Sequence, residues 1–245
     1  MFNLLIMIIE FIFLFSMVPV AKKMFGKTGL VGLMVMNLIL ANIQVIKIIN
    51  FGTSWSAVAL GSVAFAANFL ITDIISYVYS EKEARRSIRT AVLCYIVFFI
   101  GMQLTLVYQP DATDYASSAF NTVFGTDGLY IWVSVGSLLS YFIGNTLDTY
   151  IFGYFNRKIK GNGPGVLWIK SSLSGIANLI ENFIFGALGY VLLPMLFKSQ
   201  VIMPLGVAFS SSIFGTIFEG VVTILCPIFM LIGTHKYFIN RYEGK

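Results

Sequence analysis

Apolar residues run in seven long stretches, roughly 2–20, 30–48, 57–79, 90–109, 129–155, 171–196 and 203–233, divided by short polar segments. Each can cross a hydrocarbon core of ~30 Å as a helix, a length that takes about 20 residues. The pattern predicts an all-α polytopic membrane helix bundle, one integral membrane domain over 1–245, with seven spans and six as the alternative count. The last stretch is long enough to tilt, or to break near Pro227. In loop 110–127, Ala116, Ala119, Phe120, Val123 and Phe124 recur at helical spacing. That spacing fits a short amphipathic helix lying over one mouth, and equally an ordinary capping loop.

Composition excludes a soluble domain: 58% of residues are hydrophobic, 11% are charged, and mean hydropathy is +0.85. The first stretch does not read as a cleavable signal, because Glu10 interrupts it, no Lys or Arg precedes it, and Pro19-Val-Ala-Lys-Lys23 is a poor cleavage site. Basic residues set the orientation. Fourteen of the sixteen fall in loops 21–29, 80–89 and 156–170 and in the tail after 233; Lys47 and Lys198 remain on the other side, with Asp111, Asp114 and Asp127. This places the N-terminus outside and the C-terminus in the cytosol. Topology therefore accounts for the net charge of +5, and no nucleic-acid partner is called for. Cys94 and Cys226 read as packing residues and His235 as an interfacial one.

Five carboxylates fall at membrane depth: Glu10, Asp73, Asp148, Glu181 and Glu219. A charge there costs at least ~2.5–3.5 kcal/mol, so each is a candidate for function. No Lys or Arg is expected deep in a span to neutralise them. One phrase occurs twice, Asn145-Thr-Leu-Asp148-Thr-Tyr-Ile-Phe-Gly153 and Asn178-Leu-Ile-Glu181-Asn-Phe-Ile-Phe-Gly186. Its amide and acid are i,i+3 neighbours and project together. Gly136, Ser140, Gly144 and Asp148 form a small-residue stripe; Ser174, Asn178, Asn182 and Gly186 form another; Ala64, Asn68, Thr72 and Ser76, bordered by Asp73, a third. Asn37, Ala41 and Gln44 share a face of the second span. Such stripes let helices approach closely and often only hold them together. With the acids added, they predict one central polar cavity. The Gly136–Ser140–Gly144 face serves either an internal contact or a homodimer. Gly26-Lys27-Thr28 lacks the first glycine and the strand of a phosphate-binding loop. No motif points to a metal, a cofactor or a catalytic nucleophile, so the chain is not expected to be an enzyme.

Thr72-Asp73-Ile-Ile-Ser-Tyr-Val-Tyr79 followed by Lys82-Glu-Ala84-Arg85-Arg86 resembles the signature of bacterial queuosine precursor transporters, the vitamin uptake transporter family. Ala119-Phe120-Asn-Thr-Val-Phe124-Gly125, Ser140 to Asp148, Trp168-Ile-Lys-Ser-Ser-Leu173-Ser and the Glu181 segment extend the resemblance over about 60–230. The family usually shows Gln-x-x-Asp where this chain has Asn145-x-x-Asp148, and Gln-x-x-Asp-Thr where it has Asn178-x-x-Glu181-Asn182. It often has Asn-Asn in place of Ser171-Ser172, and a lysine in the last span that this chain lacks, with Glu219 nearby.

The resemblance implies import of a 7-deazaguanine (7-cyano- or 7-aminomethyl-7-deazaguanine, or queuine) across the bacterial inner membrane for tRNA modification. The expected substrate contacts are Asp148, Glu181, Asn145, Asn178, Asn182, Asp73, Asn68 and Gln44, with Tyr150, Phe183 or Trp168 stacking on the flat bicycle. Asp73 and Glu219 are the candidates for proton coupling. A stand-alone secondary transporter or facilitator is the first reading. The alternative is the substrate-capture subunit of an ATP-driven importer, and a membrane-embedded enzyme ranks last.

Overall fold

The computed structural model describes residues 2–50, 57–125, 130–161, 164–197 and 204–242. Asp127, Lys198 and Lys245 lie outside the described residues, as do the side chains of Cys226 and His235. The architecture is an all-α membrane bundle with one short β-hairpin. Four helices are long and apolar enough to cross a bilayer among the described residues.

α1 (Phe2–Gln44) covers the first two predicted spans. The expected loop at 21–29 is only a break at Gly26, whose φ of 62° and ψ of −138° need a residue without a Cβ. Gln44 Nε2 donates to Glu10 Oε1 at 2.5 Å and Asn3 Nδ2 to the Asn50 carbonyl at 2.6 Å. Both pairs are nearly equidistant in sequence from Gly26, so the limbs fold back as an antiparallel hairpin. β1 (Ile48–Asn50) and β2 (Ala57–Ala59) then pair antiparallel, Ile48 opposite Ala59. The third predicted span therefore begins as a strand, a correction to its helical reading. Gly61, at φ 107°, turns the chain where a Cβ would sit 2.7 Å from the Ala41 carbonyl oxygen.

α2 (Ser62–Val78) is buried from Val63 to Tyr77 without interruption. A helix apolar all round belongs in an interior, and α2 is the axis on which α1, α3, α5 and α9 pack. α3 (Glu81–Val107) starts nine residues earlier than the apolar pattern predicts, because Ser80 caps it: its hydroxyl accepts from Glu83 N at 3.2 Å, with Glu81 and Glu83 in the first turn. α4 (Ser117–Phe124) is the short helix expected in the loop after α3; Phe124 meets Phe98 and Tyr130 at 6.5 and 4.8 Å.

α5 (Tyr130–Lys158) carries the first copy of the repeated phrase. The sixth apolar segment is irregular: α6 (Pro164–Ser174), a break at Gly175, α7 (Ile176–Phe185), a π-helical segment Gly186–Leu192 and α8 (Leu193–Leu196). α9 (Leu205–Tyr242) runs through Pro227 as one helix. Gly136 lies on the backbone of Gly189 and Gly144 on the Glu181 side chain, where a Cβ on either would collide. That small-residue face is thus consumed inside the chain and is unavailable to a homodimer.

Three of the basic segments meet at one end of the bundle. Lys27 Nζ lies 2.6 Å from Glu83 Oε2, Arg157 pairs with Glu81, and Arg85 lies 3.7 Å from Glu81.

Candidate functional site

Four carboxylates enter the bundle interior, one each from α2, α5, α7 and α9. Asp73, Asp148, Glu181 and Glu219 are at most 3% exposed. They form two clusters stacked along α5 and α7.

In the first cluster, Asp73 Oδ2 accepts from Ser171 Oγ at 2.6 Å, and Ser174 Oγ lies 3.4 Å from both Asp73 oxygens. Thr72 Oγ1 lies 3.0 Å from Asp148 Oδ2. Asp73, Asp148, Ser171, Ser174, Gly175 and Asn178 border one cavity of about 10 Å³. The break at Gly175 brings the end of α6 to this cavity. Irregular backbone at membrane depth is tolerated where it lines a polar interior, and transporters build midplane sites from such broken helices.

The second cluster lies about two turns along α5. Ser140, whose hydroxyl donates to the Ser137 carbonyl at 3.0 Å, lies near Glu181, and Asn182, its amide nitrogen unpartnered among the described residues, lies near Glu219. Glu181, Asn182, Glu219, Phe65, Phe185 and Tyr190 border a cavity of about 20 Å³. Ser140 and Asp148 are eight residues apart on α5, so the clusters are separated by ~12 Å along the axis. A water needs about 10–15 Å³, so neither cavity holds more than one. The polar interior is closed in this conformation.

Other predicted positions fall differently. Asn145 and Asn68 are fully buried but hold backbone carbonyls, Tyr141 O at 3.2 Å and Met34 O at 3.3 Å. Gln44 is taken up by Glu10, away from both clusters. Tyr150 points outward under the Arg85 guanidinium, 5.0 Å from its ring centre. Phe183 is 76% exposed and lines an apolar outer groove of about 780 Å³ between α7 and α9. Trp168 donates from Nε1 to the Ile224 carbonyl at 3.2 Å and leaves its ring partly exposed.

Periodicity explains why the aromatic expectation missed. Tyr150 and Phe183 each stand two residues past an acid, and i,i+2 residues face apart on a helix. Phe185, four residues past Glu181, faces the cavity. Its ring centre lies 4.8 Å from Tyr190 and 6.4 Å from Phe65, and Tyr141 is 6.3 Å from Phe65. Ser171, standing where the family often has asparagine, is the shortest partner of Asp73. Lys170, at the end of the segment expected as loop 156–170, instead lies in α6, is 1% exposed and has Nζ 3.0 Å from Asn156 Oδ1.

Residues 59–232 match the family described as "Putative vitamin uptake transporter". The chain belongs to this family, that of the queuosine precursor transporters. Over 193 residues it is 30% identical to the "Probable queuosine precursor transporter" of Bacillus subtilis (strain 168), covering 78% of this chain and 81% of that relative. It is also 28% identical over 141 residues to the "Lipopolysaccharide biosynthesis protein WzxC" of Escherichia coli (strain K12), covering 54% of this chain and 27% of that protein. No solved structure matches the chain. The family match runs from β2 into α9 and contains all four interior carboxylates. α1, with its Glu10–Gln44 pair, lies outside it.

Proposed function

We propose that this queuosine precursor transporter family member imports a 7-deazaguanine across the bacterial inner membrane, as a stand-alone secondary transporter without an ATPase. The observation that carries the reading is the set of four buried carboxylates whose partners are hydroxyls and amides, gathered around a broken helix. A guanine-like edge offers adjacent N–H donors and a carbonyl. Asp148 or Glu181 can accept two donors, and Asn178 or Asn182 can donate to the carbonyl. Asp73 lies beside Asp148 as a further acceptor. Phe65, Phe185 and Tyr190 supply the stacking faces. The bicycle needs far more room than either cavity offers. The reading therefore has the clusters joining into one pocket as α7 moves about Gly175 and the π segment, where backbone regularity is already lost.

Seven spans, with the N-terminus outside and the C-terminus in the cytosol, complete the reading. It puts the end bearing Lys27, Lys82, Arg85, Arg157 and Lys158 in the cytosol. The experiment is uptake of labelled 7-deazaguanines into a strain unable to make them, followed by uptake into liposomes holding the purified chain alone. Asp148→Asn and Glu181→Gln are each expected to lower uptake at least tenfold. Wild-type rates in both variants would remove the site assignment, and transport that requires an added ATPase would favour a capture subunit instead.

A further inference from the structure

The two acid clusters differ in a way that divides their labour. Asp73 has serine hydroxyls at both oxygens, and Asp148 has Thr72. Glu219 is different. It is 1% exposed, it borders the second cavity, and among the described residues nothing hydrogen-bonds its Oε2. Gly215, one turn before it on α9, lies against the Asn182 amide, and a Cβ there would sit 3.0 Å from Asn182 Oδ1. Asn182 lies beside Glu219, but its amide nitrogen makes no hydrogen bond among the described residues, so it does not satisfy that oxygen. Glu181 opens onto that same cavity, so two carboxylates share a space large enough for one water at most.

A buried acceptor oxygen without a hydrogen bond, next to a second carboxylate, lacks a positive or donating partner among the described residues. The titratable groups facing it are Glu181 from α7 and Tyr190 from the π segment. α2, β2 and the end of α1 present Ser62, Phe65, Ala59, Leu60 and Val45, none of which titrates. Phe65, Phe185 and Tyr190 line the cavity as well.

We infer that Glu219, paired with Glu181, is the site of a coupling proton, separate from the Asp73–Asp148 cluster. This rests on the transport reading above. The proton sits on the Glu219 carboxyl, whose O–H then donates across the cavity to Glu181. With one charge removed, Glu181 accepts the substrate's N–H donors and the cavity closes on a single negative charge instead of two. Without the proton, the closed loaded state is disfavoured, and a ligand with different affinity for two states shifts the balance between them. No bond other than O–H forms or breaks, and the proton leaves to the cytosol with the substrate. Of the two residues the sequence offers for coupling, Asp73 and Glu219, the geometry selects Glu219.

The test uses purified full-length protein in weakly buffered liposomes with an entrapped pH dye. The probe is labelled 7-cyano-7-deazaguanine, which is neutral, so any proton moved is the carrier's. Wild type is expected to acidify the lumen by about one proton per base taken up, and to respond to an inward proton gradient. In Glu219→Gln the proton-to-base ratio is expected to fall to near zero, and Glu219→Asp, still titratable, is expected to recover it. Wild-type uptake without acidification overturns the inference, as does stimulation by sodium alone, or acidification that persists in Glu219→Gln. Should that variant not fold, the wild-type ratio and Glu219→Asp still decide. Exchange of labelled for unlabelled base, which moves no net proton in any case, separates the two claims: exchange together with net uptake that brings no acidification sinks the coupling and leaves transport standing, whereas no exchange sinks both.

Discussion

Gly144→Ala tests the close approach of α5 to the Glu181 side chain. A Cβ at Gly144 would collide with Glu181 Cβ and Cγ, and would lie 3.6 Å from Glu181 Cα. The obstacle is the root of the Glu181 side chain, so rotamer change cannot relieve it and α5 and α7 must part by about 1 Å. Overpacking of this kind costs ~1–3 kcal/mol. Replacing glycine in a helix also gains ~1 kcal/mol of propensity, and that term must be subtracted. Gly101→Ala supplies it: Gly101 sits in α3 with nothing within 4 Å of its added Cβ. For a chain of this length each kcal/mol moves Tm by ~2–4 °C. Gly101→Ala is expected to raise Tm slightly, and Gly144→Ala to fall ~2–12 °C below it. Because the shift displaces Glu181, uptake in Gly144→Ala should drop at least tenfold, with Gly101→Ala unaffected. The measurement is a pair of thermal melts in one detergent, with uptake in cells. A Gly144→Ala protein as stable as Gly101→Ala, and as active, would refute the close packing of α5 on α7 and the placement of Glu181 that depends on it.

Tyr150→Phe, Trp168→Phe and Phe183→Leu are expected to keep uptake within about twofold, whereas Phe185→Ala should lose most of it; a kinetic comparison of the four decides which aromatic faces serve the substrate. Ser171→Ala removes the 2.6 Å donor to Asp73 and should lower stability by ~1–3 kcal/mol, read from the melt; Ser171→Thr should recover it. Asp114 accepts from the Ser117 hydroxyl and the Ala116 N–H, and Asp111 from the Thr113 hydroxyl and N–H; these donors hold both carboxyls below the usual carboxylate range. A depressed folded pKa gives stabilisation that is full above the unfolded value near ~3.9 and lost as pH falls through the lower folded value. Amide protection at Ala116 and Ser117 should therefore stay level from pH ~8 to ~5 and begin to fall only below the unfolded value near ~3.9, and a loss already near neutral pH would contradict the turn.

Much of the bundle was legible from hydropathy, because a bilayer demands long apolar helices and the chain supplies them. Boundaries were misread where a local signal overrode the apolar run. Ser80 with Glu83 started α3 early, and strand pairing at Ile48–Ala59 took the first residues of a predicted span. The four interior acids stood out by their cost, and i,i+3 spacing put Asn178 and Glu181 on related faces. Their partners did not stand out. Ser171, Phe65 and Tyr190 look like any serine or aromatic in an apolar chain until the fold places them.

The sequence by itself determined that this chain lives in a membrane and that Asp73, Asp148, Glu181 and Glu219 must earn their burial, because the transfer free energy of a charge depends only on its surroundings being hydrocarbon. Only the tertiary structure decided that the acids separate into two clusters, that α2 is the buried axis, and that Glu219 borders a cavity with one oxygen unsatisfied among the described residues. Those facts depend on which helices meet and at what height, and the breaks at Gly26 and Gly175 and the π segment after Phe185 set that height through contacts far apart in the chain.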